Sequence, residues 1–245
     1  MNDTTSQCLN CESPLEYAQR FCGQCGQKTG RERLTMGQIS RDFIHAMTHV
    51  DHSIFSLIKA LAIRPGHVAR EYIDGKRKKY FGPLAFLVIN VGLATFMILL
   101  TGANFFSPVP DNAIANFLQQ HINLVILAQM PLLAGVCALL FRGSRLYYAE
   151  HLVLVAYTSG FRVLVLGLVV VPVFYFANLS PISRTTAPVY LGLWLIYFSV
   201  AAVQFYRGPV FWTVARAVFG GVLAQVIAMT VIVSCIWVYA QFAYS

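Results

Sequence analysis

Four cysteines stand in two pairs near the start of the chain, Cys8-x2-Cys11 and Cys22-x2-Cys25, with ten residues between the pairs. Thiolates at this spacing form two knuckles that converge on one tetrahedral metal ion, and four sulfur ligands leave no coordination position open to a substrate. The chemistry expected is therefore structural: one Zn2+ lets about 25 residues fold that could not bury a core alone. Two disulfides are the competing reading, disfavoured in a segment facing the reducing cytosol. Gly23 and Gly26 suit the sharp turns of a knuckle because glycine accepts positive φ, whereas Glu12 and Ser13 suit the first knuckle less well. Arg20, Lys28, Arg31 and Arg33 offset the negative charge of the clasp. Cys137 and Cys235, isolated in apolar runs, read as small packing residues.

A second chemistry is suggested downstream. Thr35 and Gln38 have capping-box spacing, and Met36, Ile39, Phe43, Met47, Val50, Ile54, Leu57 and Leu61 recur every three or four positions, which predicts an amphipathic helix ending near Ile63, before Pro65. At about 100° per residue, His45, His49 and His52 fall opposite that stripe, with Asp42 at the margin. Imidazoles so placed can share a metal ion, and His151 from a later loop would complete a second site. A solvated helix face is the simpler reading, since it needs none of the supporting groups a metal site requires.

These residues must be held by elements of a membrane protein. The chain of 245 residues is 57% hydrophobic and 11% charged, with a mean hydropathy of +0.62, outside the soluble globular range. Residues 1–82 hold 12 of the 18 Lys and Arg and 8 of the 10 Asp and Glu. That segregation divides the chain into a ribbon at 1–30, cytoplasmic interfacial helices with a basic flank at 31–82, and a transmembrane bundle at 83–245. Apolar runs long enough to cross a bilayer lie near 83–102, 122–141, 151–177, 187–206 and 217–241. The expected fold is thus an all-α polytopic bundle of about five spans, carrying a small N-terminal zinc ribbon and cytoplasmic amphipathic helices. Residues 1–20 show no secretory signal, and the positive-inside rule places 16 Lys and Arg on the cytoplasmic side against one outside. The N-terminus is then cytoplasmic and the C-terminus lies across the membrane.

Between the helix and the first span runs "RPGHVAREYIDGKRKKYFGP", residues 64–83. Pro65 suits a helix start and Gly75 a helix end. Val68, Tyr72 and Ile73 of this short helix would rest on the membrane, with Lys76, Arg77, Lys78 and Lys79 among anionic lipid headgroups. This stretch, with "RFCGQCGQ", "THVD" and "YYAEHLVLVAYTSGF", resembles the bacterial membrane-protein family catalogued as domain of unknown function 3667. Its Pro-Gly…Gly-Lys-Arg-x-x-Tyr-x-x-Pro pattern is matched by Pro65, Gly66, Gly75, Lys76, Arg77, Tyr80 and Pro83, and a recurring Glu-His pair by Glu150 and His151. The resemblance implies an N-terminal zinc ribbon followed by several spans in the bacterial inner membrane, and no known activity.

Arg162 stands about eleven residues into the third expected span, where insertion scales charge roughly 2.5–3.5 kcal/mol for arginine. No Asp or Glu lies in any of the five expected spans, so its neighbours should be neutral: Asn90, Gln129, Tyr157, Gln204 and Gln225. Three functions compete. A docking protein would present the ribbon to a cytoplasmic protein partner; the ribbon lacks the dense basic and aromatic face that nucleic acid requires. A transporter or lipid-handling protein would use Arg162 for an anionic ligand, although five spans cannot split into equal halves and a homo-oligomer would have to restore symmetry. A cytosol-facing metalloenzyme would use the histidines with Glu150, but no phosphate loop, nucleophile elbow or zinc-protease motif occurs. The docking reading is preferred.

Overall fold

The computed structural model describes residues 7–16, 19–29, 34–40, 43, 53–102, 122–177 and 186–243. Its regular elements are all helices: α1 (Ser53–Ile63), α2 (Pro65–Ile73), α3 (Pro83–Thr101), α4 (Ile122–Leu140), α5 (Tyr148–Phe176), α6 (Thr186–Tyr206) and α7 (Val210–Ala243). Within α3, α5, α6 and α7, the stretches Pro83–Thr101, Tyr148–Phe176, Pro188–Tyr206 and Val210–Ser234 are long and apolar enough to cross a membrane. The fold is that of a multi-pass membrane protein. The remaining expected span, 122–141, coincides with α4, a helix of 19 residues whose apolar stretch Ile126–Leu140 is shorter than the other four.

Proline and glycine set the boundaries. Pro65 and Pro83 each occupy the first turn of a helix, where a missing N–H leaves no bond unmade. Gly102 closes α3 at φ 62°, its N–H donating to the Ile98 carbonyl, and Gly75 turns the chain after α2 at φ 114°. Pro172 cannot donate and its ring crowds the preceding turn; α5 widens into a π turn over Leu166–Val170 just before it. The Gly220-Gly221 pair, by contrast, does not interrupt α7. It lets α7 approach its neighbours, since a methyl at Gly221 would lie 2.6 Å from Leu195 and one at Gly220 2.9 Å from Leu140.

Helix α5 is the hub, packing on α2, α3, α4 and α6, while α7 closes against α4 and α6. Its Gly160 and Gly167 sit against Phe86 and Ala94 of α3, the small-residue contact by which membrane helices come close. The expected resting place of α2 on the membrane surface is not what the structure shows. Val68 and Ala69 are wholly buried and Tyr72 nearly so, in one core with Leu57, Leu61, Tyr157, Phe198 and Phe205. Gly66 is the reason: its backbone lies directly against α6, and its N–H donates to Gln204 Oε1 at 3.0 Å. Further bonds tie the same region together, from Tyr197 Oη to the Leu61 carbonyl (3.0 Å) and from Tyr157 Oη to the Phe81 carbonyl (2.7 Å). The break in composition near Gly82 therefore does not separate two packing units.

Candidate metal centre

Each cysteine pair folds as the same turn. In the first, the Cys8 N–H donates to the Ser13 carbonyl and the Glu12 N–H to the Cys8 carbonyl; in the second, Cys22 N–H meets the Gln27 carbonyl and Gly26 N–H the Cys22 carbonyl. Single antiparallel bridges, Gln7 to Pro14 and Phe21 to Lys28, close both loops. The fifth position of each turn is left-handed, at φ 61° for Glu12 and φ 68° for Gly26. Gly23, expected to share that role, has no positive φ.

The turns bring all four Sγ atoms within 4.8 Å of one another, with Cys8 to Cys25 and Cys11 to Cys22 each at 3.6 Å. A disulfide would bring sulfurs to ~2.05 Å, whereas a tetrahedral ion ~2.3 Å from each sulfur would hold them ~3.8 Å apart. The thiols are free, and the spacing fits a metal ion. Among the described residues no other group of three or more His, Cys, Asp or Glu is so arranged.

Ser13, expected to suit its knuckle poorly, is part of the site. Its hydroxyl lies 3.1 Å from Cys11 Sγ and 3.2 Å from Cys22 Sγ. The hydrogen bond from Ser13 is the main cause that draws the Cys22 thiol down to about 6 and lowers Cys11, while burial pushes Cys25 up to about 11. Thiolate is the ligand form, so Ser13 favours metal capture. The left-handed Glu12 works the other way, since a β-carbon there costs roughly 1–2 kcal/mol. Glu12→Gly should stabilise the metal-loaded ribbon by about 1 kcal/mol, read as a higher chelator concentration for half-release. The exposed Glu12–Lys76 pair at 3.7 Å that it removes contributes little.

The clasp is fixed to the membrane domain through the basic collar. Asn10 Oδ1 accepts the Lys79 N–H at 3.0 Å, Gln27 Oε1 accepts the Lys78 N–H at 3.3 Å, and Gln27 Nε2 donates to the Gly75 carbonyl. Leu9 covers Gly75, where a methyl would meet it at 3.0 Å. Beneath the collar, Glu71 receives hydrogen bonds from Lys79 Nζ and Tyr80 Oη, both 2.7 Å, and lies 3.6 Å from Arg64. The family-like stretch 64–83 is thus a joint between ribbon and bundle. Asn10, Gln27 and Glu71 gave no sequence signal beyond being polar among cations.

Burial pushes the Glu71 carboxyl up, but the bonds from Lys79 and Tyr80 and the charges of Lys79 and Arg64 outweigh it and hold the group below its usual range. A depressed carboxylate adds stability above its unfolded value and loses it as pH falls through the lower folded value. The melting temperature should therefore drop on acidification through that window. In Glu71→Gln the loss should be present already at neutral pH and that part of the pH profile should flatten; an unchanged profile would remove Glu71 from the joint.

The other residues singled out by sequence divide. His45, His49 and His52 lie outside the described residues. His151 is buried and its Nδ1 lies 2.7 Å from Tyr206 Oη, so it is engaged with α6. Glu150 accepts the Tyr147 N–H at 2.8 Å and caps α5. Arg162, midway along α5, places its guanidinium 4.6 Å from the Trp194 ring centroid. Of its five expected neighbours, Gln129 and Gln225 line the same crevice. Asn90, Tyr157 and Gln204 are bonded elsewhere, to the Phe86 carbonyl, the Phe81 carbonyl and the Gly66 N–H.

Residues 51–95, from just before α1 to the middle of α3, match the family model described as protein of unknown function (DUF3667). No curated protein and no solved structure matches the chain.

Proposed function

We propose, for a chain whose residues 51–95 match that family of unknown function, that it is a non-enzymatic docking protein of the bacterial inner membrane. Its ribbon carries one structural Zn2+ at Cys8, Cys11, Cys22 and Cys25 on the cytoplasmic side and offers its outer surface to a cytosolic protein, with the C-terminus across the membrane. The observation that carries this reading is the pairing of a closed ligand set with rigid attachment. Four sulfurs leave no position for a substrate, and bonds to Gly75, Lys78 and Lys79 hold the ribbon on the bundle. On that support Phe21 is 60% exposed, a bare aromatic of the kind that anchors interfaces. The side chain of Lys78 also stays exposed, open to anionic headgroups.

A photoreactive amino acid placed at Phe21 in growing cells tests this. The expected result is a discrete adduct with one cytosolic protein, abolished by Cys22→Ser. Absence of any adduct, or one that survives loss of the clasp, would remove the docking role.

A further inference from the structure

The charge of Arg162 meets no carboxylate in the apolar segments: residues 83–102, 122–141, 151–177, 187–206 and 217–241 contain neither Asp nor Glu. What surrounds it instead is a set of neutral donors from four helices. Gln129 of α4, Ser159 of α5, Trp194 of α6 and Gln225 of α7 line one crevice with the guanidinium. Each of these side chains carries at least one N–H or O–H to give. The indole N–H of Trp194 is buried and has no hydrogen-bond partner among the described residues, in a side chain only 6% exposed. A buried donor left over beside a cation that meets the face of the Trp194 ring but no carboxylate points to an acceptor that is also negative.

Size identifies the class. The free space between these side chains holds about one sphere the size of a water molecule. The enclosed part of the crevice suits a small anion, whereas a lipid phosphate or a carboxylate substrate would have to project through its open side. A water would satisfy one or two donors but bring no negative charge to Arg162.

We propose that the crevice formed by Gln129, Ser159, Arg162, Trp194 and Gln225 binds a single halide ion, chloride in the cell. The ion joins α4, α5, α6 and α7 by accepting hydrogen bonds from each, so it acts as a structural anion at the centre of the bundle. This inference is independent of the docking role of the ribbon.

The test uses the full-length, metal-loaded protein in detergent. Thermal unfolding in chloride is compared with gluconate, an anion too large to enter, at equal ionic strength. Chloride should raise the melting temperature saturably, as a ligand selective for the folded state does. In a chain bearing Trp212→Phe and Trp237→Phe, bromide should quench the remaining Trp194 fluorescence along a saturating curve, and chloride should reverse it. Arg162→Gln should abolish both effects. Equal melting in the two salts, quenching that grows without saturation or resists chloride, or halide effects undiminished in Arg162→Gln would each overturn the proposal. If Arg162→Gln does not fold, competition between bromide and chloride in the Trp212→Phe, Trp237→Phe chain decides alone.

Discussion

Stripping the metal, or replacing Cys22 and Cys25 by serine, should unfold residues 7–29 and release them from the membrane domain. The ribbon has two short turns and two isolated bridges to hold it, and buried Cys8 and Cys22 supply most of what core it has. In small domains of this type the metal contributes ~10–16 kcal/mol of folding free energy near neutral pH, far more than such turns provide. Limited proteolysis should therefore cut within 7–29 after chelation and not before, while the helical bundle survives. The survival is as much part of the prediction as the cut. Leu57, Leu61, Val68 and Tyr72 are buried against α5 and α6 without help from the ribbon. A bundle that melts when the metal leaves would mean that the clasp supports α1 and α2 as well.

Among the described glycines, Gly66→Ala should be the most damaging added methyl group. The added carbon would lie 2.0 Å from the Ala201 carbonyl oxygen, 2.6 Å from Gln204 Cβ and 2.8 Å from the Phe205 nitrogen. Two of those three atoms are backbone, so rotating a side chain cannot relieve the contact. Either α2 withdraws from α6, breaking the bond from Gly66 N–H to Gln204 and uncovering Tyr72, or the helices shift together. Overpacking of a closed core commonly costs ~1–3 kcal/mol and more where backbone is struck; a loss of at least ~3 kcal/mol is expected here. Measured as the amount of folded protein recovered from membranes, Gly66→Ala should fall well below wild type. Gly92→Ala, whose new methyl would touch nothing within 4 Å, should match it.

The contrast between these two glycines shows what a sequence can reveal. The cysteine spacing made the clasp legible, because four ligands to one ion impose a pattern on the chain itself. Apolar runs locate four helices able to cross a bilayer, and Pro65 and Gly75 mark the ends of α2. The expectation of α2 on the membrane surface fails because His67, Arg70 and Glu71 give the helix the look of an interfacial one. Its burial depends on Gly66 fitting α6 more than 130 residues away, and such a fit leaves no local trace. The same holds for Asn10 and Gln27, whose partners are backbone groups of the collar. Gly220 and Gly221 serve the close packing of α7, a role that glycine in a helix does not by itself distinguish from a kink.

The central claim is that the metal clasp is seated on the collar at Gly75, Lys78 and Lys79. Hydrogen–deuterium exchange over residues 75–80 measures it directly. With metal bound, the amides of Lys78 and Lys79 should be protected by Gln27 and Asn10, and chelation should abolish that protection while the amides of residues 66–73 keep theirs. Fast exchange at Lys78 and Lys79 in the metal-loaded protein, or protection unchanged after chelation, would contradict it.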